Sequence, residues 1–263
     1  MSRPVLMTRI CHATPDRVQV RGFDLANDLI GSTGTAEYLY VLLTGRRPRA
    51  DQVEVLDACV VSLAEHGLVP SVQAARMTYA ASPESLHGAV AAGILGAGSV
   101  ILGSSEEAGR LLADIVAAAS DDDEIATAAL AKVREIRAAR LPLPGFGHPL
   151  HRERDPRTDA LLAVSDRLGT SGRHVAALRG IVAAVPAVYG RQLPLNVSGA
   201  IPAVLLDVDF PVRALKAVAL IGRTMSLIAH LIEEHDNPIG FGLANAAEQA
   251  VTFEPGAPSS AGR

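Results

Sequence analysis

The run Pro142-Leu143-Pro144-Gly145-Phe146-Gly147-His148-Pro149, with Asp155-Pro156-Arg157 close behind it, carries the residue types that chemistry needs. Glycines let a backbone come close to a ligand, and prolines hold a loop in few conformations. A histidine held there exchanges protons near neutral pH, and Arg157, placed where a helix should begin, can anchor an anion. A second feature is Arg223, the one permanently charged residue between Ala217 and Ile232. A guanidinium does not shed its proton, so burying it demands a partner of opposite charge with matching acceptors. Unless the residue lies on an exposed stripe, that partner is an internal Asp or Glu, or a ligand carboxylate held by both prongs.

The elements that must position these groups read as helices. Val53, Leu56, Val60 and Leu63 recur at helical spacing over residues 51–66, with Gly67 as the stop. Similar periodicity runs over 35–44, ended by Gly45, and over 107–119. The acids of residues 121–124 suit the first turn of a helix carrying Ile125, Ala129, Val133 and Ile136. Further helices are predicted over 156–168, 172–189, 196–206 and 211–234, with one short extended segment at 17–21 turned by Gly22. The pattern predicts an all-α fold. A large helical domain (1–105 and 207–252) is expected around a smaller inserted helical domain (106–206), with a loose tail at 253–263.

Composition excludes several function classes. A formal net charge of −4 and no basic run longer than Arg46-Arg47 leave nothing to track a phosphate backbone, so no nucleic-acid partner is expected. Aromatics make up only 3% of the chain, so the core must be Ala, Val, Leu and Ile, with Gly at close helix contacts. Cys11 and Cys59 are too few for a disulfide framework and lack metal-site spacing, and no metal site can be assembled. Residues 85–105 lack ionised side chains and are long enough to cross a bilayer, but their glycines and His87 fit a buried helix or two better. His87 is expected to be a packing or pocket residue. No membrane partner and a cytoplasmic location are expected, since no secretory leader is visible.

Gly145-Phe146-Gly147-His148 with Asp155-Pro156-Arg157 at this separation resembles the active-site loop of the citrate synthase superfamily. Arg21-Gly22-Phe23-Asp24-Leu25 is similar to its early R-G-Y-x-L segment, and Glu65-His66-Gly67-Leu68 resembles its D-H-G-L helix end. Asn196-Val197 opens the segment usually written N-V-D, and the helix with Arg223 and Ile228-Ala229-His230 is similar to the late A-R-x-x-G-x-I-A-H helix. The resemblance implies a homodimer, nearly all helical, that closes over a CoA thioester and a 2-oxo acid or tricarboxylate. It implies that His66 and His148 contact the oxo acid or citryl moiety and that Arg157 and Arg223 grip its carboxylates. Gly145, Phe146 and Gly147 would then lie against the CoA thioester, which is the substrate, with no metal required.

The departures narrow the reading. Leu102 occupies the position of the family's carbonyl-polarising L-H-G-G histidine, and the C-terminal arginine motif is replaced by His235-Asp236-Asn237-Pro238-Ile239-Gly240. Loss of that histidine and the short chain look more like the citryl-CoA lyase branch, which includes the module at the end of ATP-citrate lyase. That branch keeps a carboxylate in N-V-D-G, whereas here Ser198 stands in its place; the nearest downstream acids, Asp207 and Asp209, are over two helical turns away. The expected activity is therefore an atypical cleavage of citryl-CoA to acetyl-CoA and oxaloacetate, with Ser198 beside His148 and His66 at the catalytic centre. Two alternatives stay open: a non-catalytic CoA- and dicarboxylate-binding protein, and a changed reaction on a CoA thioester.

Overall fold

The computed structural model describes residues 6–98, 104–147 and 155–254. It opens on a small antiparallel sheet of β1 (Cys11–Ala13), β2 (Val18–Val20) and β3 (Phe23–Asp24), in that order. Arg21 and Gly22 join β2 to β3 with positive φ at both positions, the mirror-image turn whose twist matches that of paired strands. Asp24 then caps a single π-helical turn, Leu25–Leu29, by accepting from the Ala26 and Asn27 N–H groups.

Among the described residues, the regular elements after that turn are helices, in keeping with the all-α expectation. The helices are α1 (Thr35–Thr44), α2 (Ala50–Ala64), α3 (Pro70–Ala81), α4 (Leu86–Leu95), α5 (Ser104–Ala118), α6 (Ile125–Ala138), α7 (Pro156–Arg167), α8 (Arg173–Tyr189), α9 (Val197–Asp207), α10 (Leu215–Asp236) and α11 (Gly240–Ala250). Two of them, α3 and α11, were not expected, because their many alanines blur the apolar period. The helix expected over 211–234 begins instead as a 3-10 turn, Val212–Ala214, that runs into α10.

The described residues form two compact units, one within 1–65 and 99–222, the other within 66–98 and 223–263. The boundaries expected at 105/106 and 206/207 do not coincide with this division. Its last boundary falls inside α10, between Gly222 and Arg223, where neither a loop nor a change of composition marks it.

The first unit is built around α9. From Val197 to Leu206 every residue except Ser198 is buried, as befits a helix apolar on all sides. α2, α5, α7 and α8 pack against it. α6 lies on α8, where a Cβ added at Gly180 would come within 3.0 Å of the Ala129 Cβ. Small residues thus let the helices approach closely, as the aromatic-poor composition predicts. Cys59 is buried in this core, where burial pushes its thiol pKa up and leaves it unreactive, while Cys11 is exposed on β1.

The second unit packs Val72 and Ala75 of α3 and Ala89 of α4 against Leu227 and Leu231 of α10. A Cβ at Gly93 would meet Leu227 Cδ1 at 2.7 Å, so a glycine is needed there. Among the described residues, residues 212–236 form one helix long and apolar enough to cross a membrane; α4 is shorter.

A buried ion pair fastens this unit. Arg76 of α3 donates through Nε to Glu234 Oε2 at 2.6 Å and through Nη1 to Glu233 Oε2 at 2.7 Å, and Nη2 reaches the Asn237 carbonyl at 3.2 Å. Glu234 also accepts from the N–H groups of Ile239 and Gly240, so one carboxylate joins α3, α10 and the start of α11. Glu234→Ala would leave the buried guanidinium only the exposed Glu233 carboxylate and the Asn237 carbonyl, and is expected to cost about 3 kcal/mol, read as a lower urea midpoint. Arg76→Met with Glu234→Gln, which removes both buried charges but keeps an oxygen for the Ile239 and Gly240 N–H groups, should recover part of that loss. An unchanged midpoint for Glu234→Ala would show that the pair is dispensable.

Candidate active site

Residues 143–147 are laced to residues 194–196. The Gly147 N–H donates to the Pro194 carbonyl at 2.8 Å, the Asn196 N–H donates to the Gly145 carbonyl at 2.9 Å, and Asn196 Nδ2 donates to the Gly147 carbonyl at 2.6 Å. Phe146 and Leu195 pair across an isolated antiparallel bridge. Gly145 and Gly147 sit at φ +80° and +85°, the left-handed region that favours glycine. A Cβ on Gly145 would fall 2.6 Å from Gly199 Cα. The close approach read from sequence as backbone to ligand is therefore, at Gly145, backbone to backbone. Phe146 is likewise half-buried against the core rather than open to a ligand, whereas Gly147 is exposed with open space where a Cβ would be.

The lacing delivers this loop to the first turn of α9. There Asn196 caps the helix by accepting from the Ser198 N–H at 3.0 Å, and the Val197 N–H donates to Asp155 Oδ2 at 3.1 Å. Asp155 is fully buried and is itself the cap of α7, accepting from the Arg157 N–H at 3.1 Å, with Pro156 pre-set for the first helical position. It also receives Arg157 Nε at 2.9 Å and Nη2 at 2.8 Å. Burial alone would raise the Asp155 carboxyl, but the Arg157 guanidinium and the N–H groups of Arg157 and Val197 outweigh it and hold the pKa below the usual range. Arg157, expected as a clamp for a ligand carboxylate, is thus already neutralised by an internal acid. Sequence reasoning passed over Asp155, although an Asp-Pro step at a helix start is a cap signature.

Ser198 is half-buried in the first turn of α9. A serine hydroxyl is no base at neutral pH without an activating partner. Asp207 does not supply one, because it ends α9 and caps α8: it accepts from the N–H groups of Gly172 (2.7 Å), His174 (2.9 Å) and Val175 (2.9 Å) and from His174 Nδ1 (2.8 Å). Burial would raise Asp207, but these donors hold it low. Asp209 is exposed beside Arg49.

Asp155, Asp207 and Glu234 share a sign: each has its pKa lowered by folding. Each therefore contributes stability that is complete above the ordinary carboxylate range and is lost as pH falls through the lower folded value. Urea midpoints should be level from about pH 6 to 8 and fall below about pH 4. A protein most stable in that acid range would contradict the assignment.

The second unit holds the remaining groups. His66 follows α2 and is half-buried. Arg223 is buried on α10, 5% exposed. His230, two turns further along the same helix, lies 3.4 Å from Arg76 Nη1. His87, expected to pack, is exposed on α4. His148 and Leu102 lie outside the described residues. Among the described residues no three His, Cys, Asp or Glu side chains are placed to hold a metal ion.

A groove of about 680 Å³ lies between α5 and α6 and contains none of these groups. Asp114, Asp121, Asp123, Glu124 and Glu135 line it against a single Lys132, a field that repels carboxylates. We therefore keep the candidate site at the α7 and α9 N-termini.

The family model for the C-terminal domain of citrate synthase matches residues 6–240. A solved citryl-CoA lyase from Hydrogenobacter thermophilus is 29% identical, with a TM-score of 0.85 over 98% of this chain and 97% of that one. A citrate synthase homologue of Mycobacterium tuberculosis is 32% identical over 207 residues, 77% of this chain and 52% of that protein, so the chain spans about half the length of the curated relatives it matches. ATP citrate lyase of Methanothrix soehngenii, solved with citrate and coenzyme A, shares the fold at a TM-score of 0.78 and 18% identity, covering 100% of this chain and 44% of that one.

Proposed function

The chain belongs to the citrate synthase family, and from that premise we propose that it acts as a citryl-CoA lyase of atypical site chemistry. The observation that carries this reading is the likeness, over almost the full length of both chains, to a citryl-CoA lyase. In the lyase direction a base takes the proton of the citryl tertiary hydroxyl. The hydroxyl becomes a carbonyl as the carbon–carbon bond breaks, and the electron pair passes to the enolate of acetyl-CoA, which is then protonated. Oxaloacetate is the other product.

In this proposal Arg157 takes a carboxylate of the substrate, a positioning and electrostatic role, and Arg223, His66 and His148 are each proposed for the ligand-contacting role that the family resemblance implies. Gly147 offers the exposed backbone of the loop to the thioester. Proton removal is the weak step, since Ser198 stands where the branch carries a carboxylate. A missing general base costs about 10² to 10⁴ in rate. The acyl carrier is a CoA thioester consumed as substrate. α10 exposes Met225, Ile228 and Ile232 along one face, which supports a homodimer that covers them.

The test is the release of acetyl-CoA and oxaloacetate from synthetic citryl-CoA. Slow turnover that saturates with substrate and exceeds the uncatalysed rate is expected, and no release above that rate would overturn the reading. One observation favours a second reading, a binding protein without catalysis: neither Ser198 nor the neutralised Asp155–Arg157 pair offers a free base. Citryl-CoA bound tightly but returned intact would establish it instead.

A further inference from the structure

Asp155, which opens the Asp155-Pro156-Arg157 run, ties several parts of the site together. It is fully buried and accepts the N–H groups that open both α7 and α9, so one carboxylate fixes the helix that carries Arg157 to the helix that carries Ser198. It also holds Arg157 by one particular edge. A guanidinium has two edges able to grip a carboxylate: the side-on edge of Nε and Nη2, and the end-on edge of Nη1 and Nη2. Asp155 takes the side-on edge, at 2.9 and 2.8 Å.

We propose that Asp155 is a positioning residue, which fixes the plane of the Arg157 guanidinium so that the end-on edge meets the substrate carboxylate. The inference rests on the proposed role of Arg157 in carboxylate binding. The physical argument is preorganisation. A free arginine side chain carries about 2 kcal/mol of rotamer entropy, which binding would otherwise have to overcome. Held by two charge-assisted bonds, the Arg157 side chain is fixed before the ligand arrives, yet it remains 22% exposed and so within reach of one. The charge balance bears on specificity too: with Asp155 opposite it, Arg157 contributes direction more than net positive charge. A ligand is therefore selected by where its carboxylate lies more than by how many charges it carries.

The competing reading makes Asp155 a helix cap and nothing else. To separate the two, citrate and coenzyme A are titrated separately by calorimetry into the wild-type chain, Asp155→Asn and Asp155→Ser. Serine keeps a capping oxygen for α7 but is too short to hold the guanidinium, so it remains informative should the amide variant not fold. Both variants should melt cooperatively and bind citrate about 10²-fold more weakly, the loss that follows from a misplaced binding group, while binding coenzyme A as the wild type does. Unchanged citrate affinity in a folded variant, or equal weakening of citrate and coenzyme A, would overturn the positioning role while leaving the proposed function standing. A wild-type chain that binds no citrate at all would remove the proposed function itself, and this inference with it.

Discussion

Ser198→Asp is expected to raise citryl-CoA cleavage by about 10²-fold or more over the wild-type chain, because it returns a proton acceptor to the place where the family branch keeps one. The local structure should accept the change. Ser198 lies in the first turn of α9, where a negative charge is favoured by the helix dipole, and its own N–H is already capped by Asn196. The one cost is electrostatic. Asp155 bonds the neighbouring Val197 N–H, and a second carboxylate nearby raises the pKa of the new one, moving it toward the range useful for a base at neutral pH. Rapid-quench measurement of acetyl-CoA release gives the comparison. Unchanged cleavage with intact binding would identify a pocket that holds its ligand without reacting it.

Arg223→Ala should abolish binding of oxaloacetate, measured calorimetrically, while the chain still melts cooperatively. Arg223 is a permanent charge with 5% of its surface exposed, on the half of α10 that belongs to the second unit. Arg223→Lys keeps the charge but loses the planar fork, so it should bind with intermediate affinity. Unchanged binding in Arg223→Ala would remove the ligand role from this residue. Loss of the folded state would instead assign the guanidinium to an internal acid.

Four residues show what a sequence can and cannot reveal here. Arg223 stands out because a lone charge in an apolar helix is a one-dimensional signal. Arg76, the one charged residue of α3, carries the same signal, yet its partner is not a ligand but Glu234, which lies far along the chain. A pattern of types cannot say which acid comes opposite a buried arginine, because that is decided by how α3 and α10 pack. Gly145 was legible as a site of close approach, but its neighbour proved to be Gly199, since nothing in the spacing distinguishes a ligand from another backbone. Asp155 lay inside the motif itself and was overlooked: its role depends on α7 and α9 starting side by side, which only the fold determines. Helix positions over α1, α2, α7, α8 and α9 were readable, because each has a clear apolar period or a glycine or cap at its end. The division of the chain within α10 was not, since a continuous helix carries no local mark of where the packing on either side changes.

The central claim is that the Arg157 guanidinium serves a substrate carboxylate beside Ser198, an alcohol standing where the family branch carries a carboxylate. A crystal of the wild-type chain grown with citrate and coenzyme A tests it directly. The account predicts citrate with a carboxylate on the end-on edge of Arg157 and its hydroxyl facing Ser198. Density showing citrate elsewhere, or Arg157 facing Asp155 alone while the ligand is bound, would contradict it.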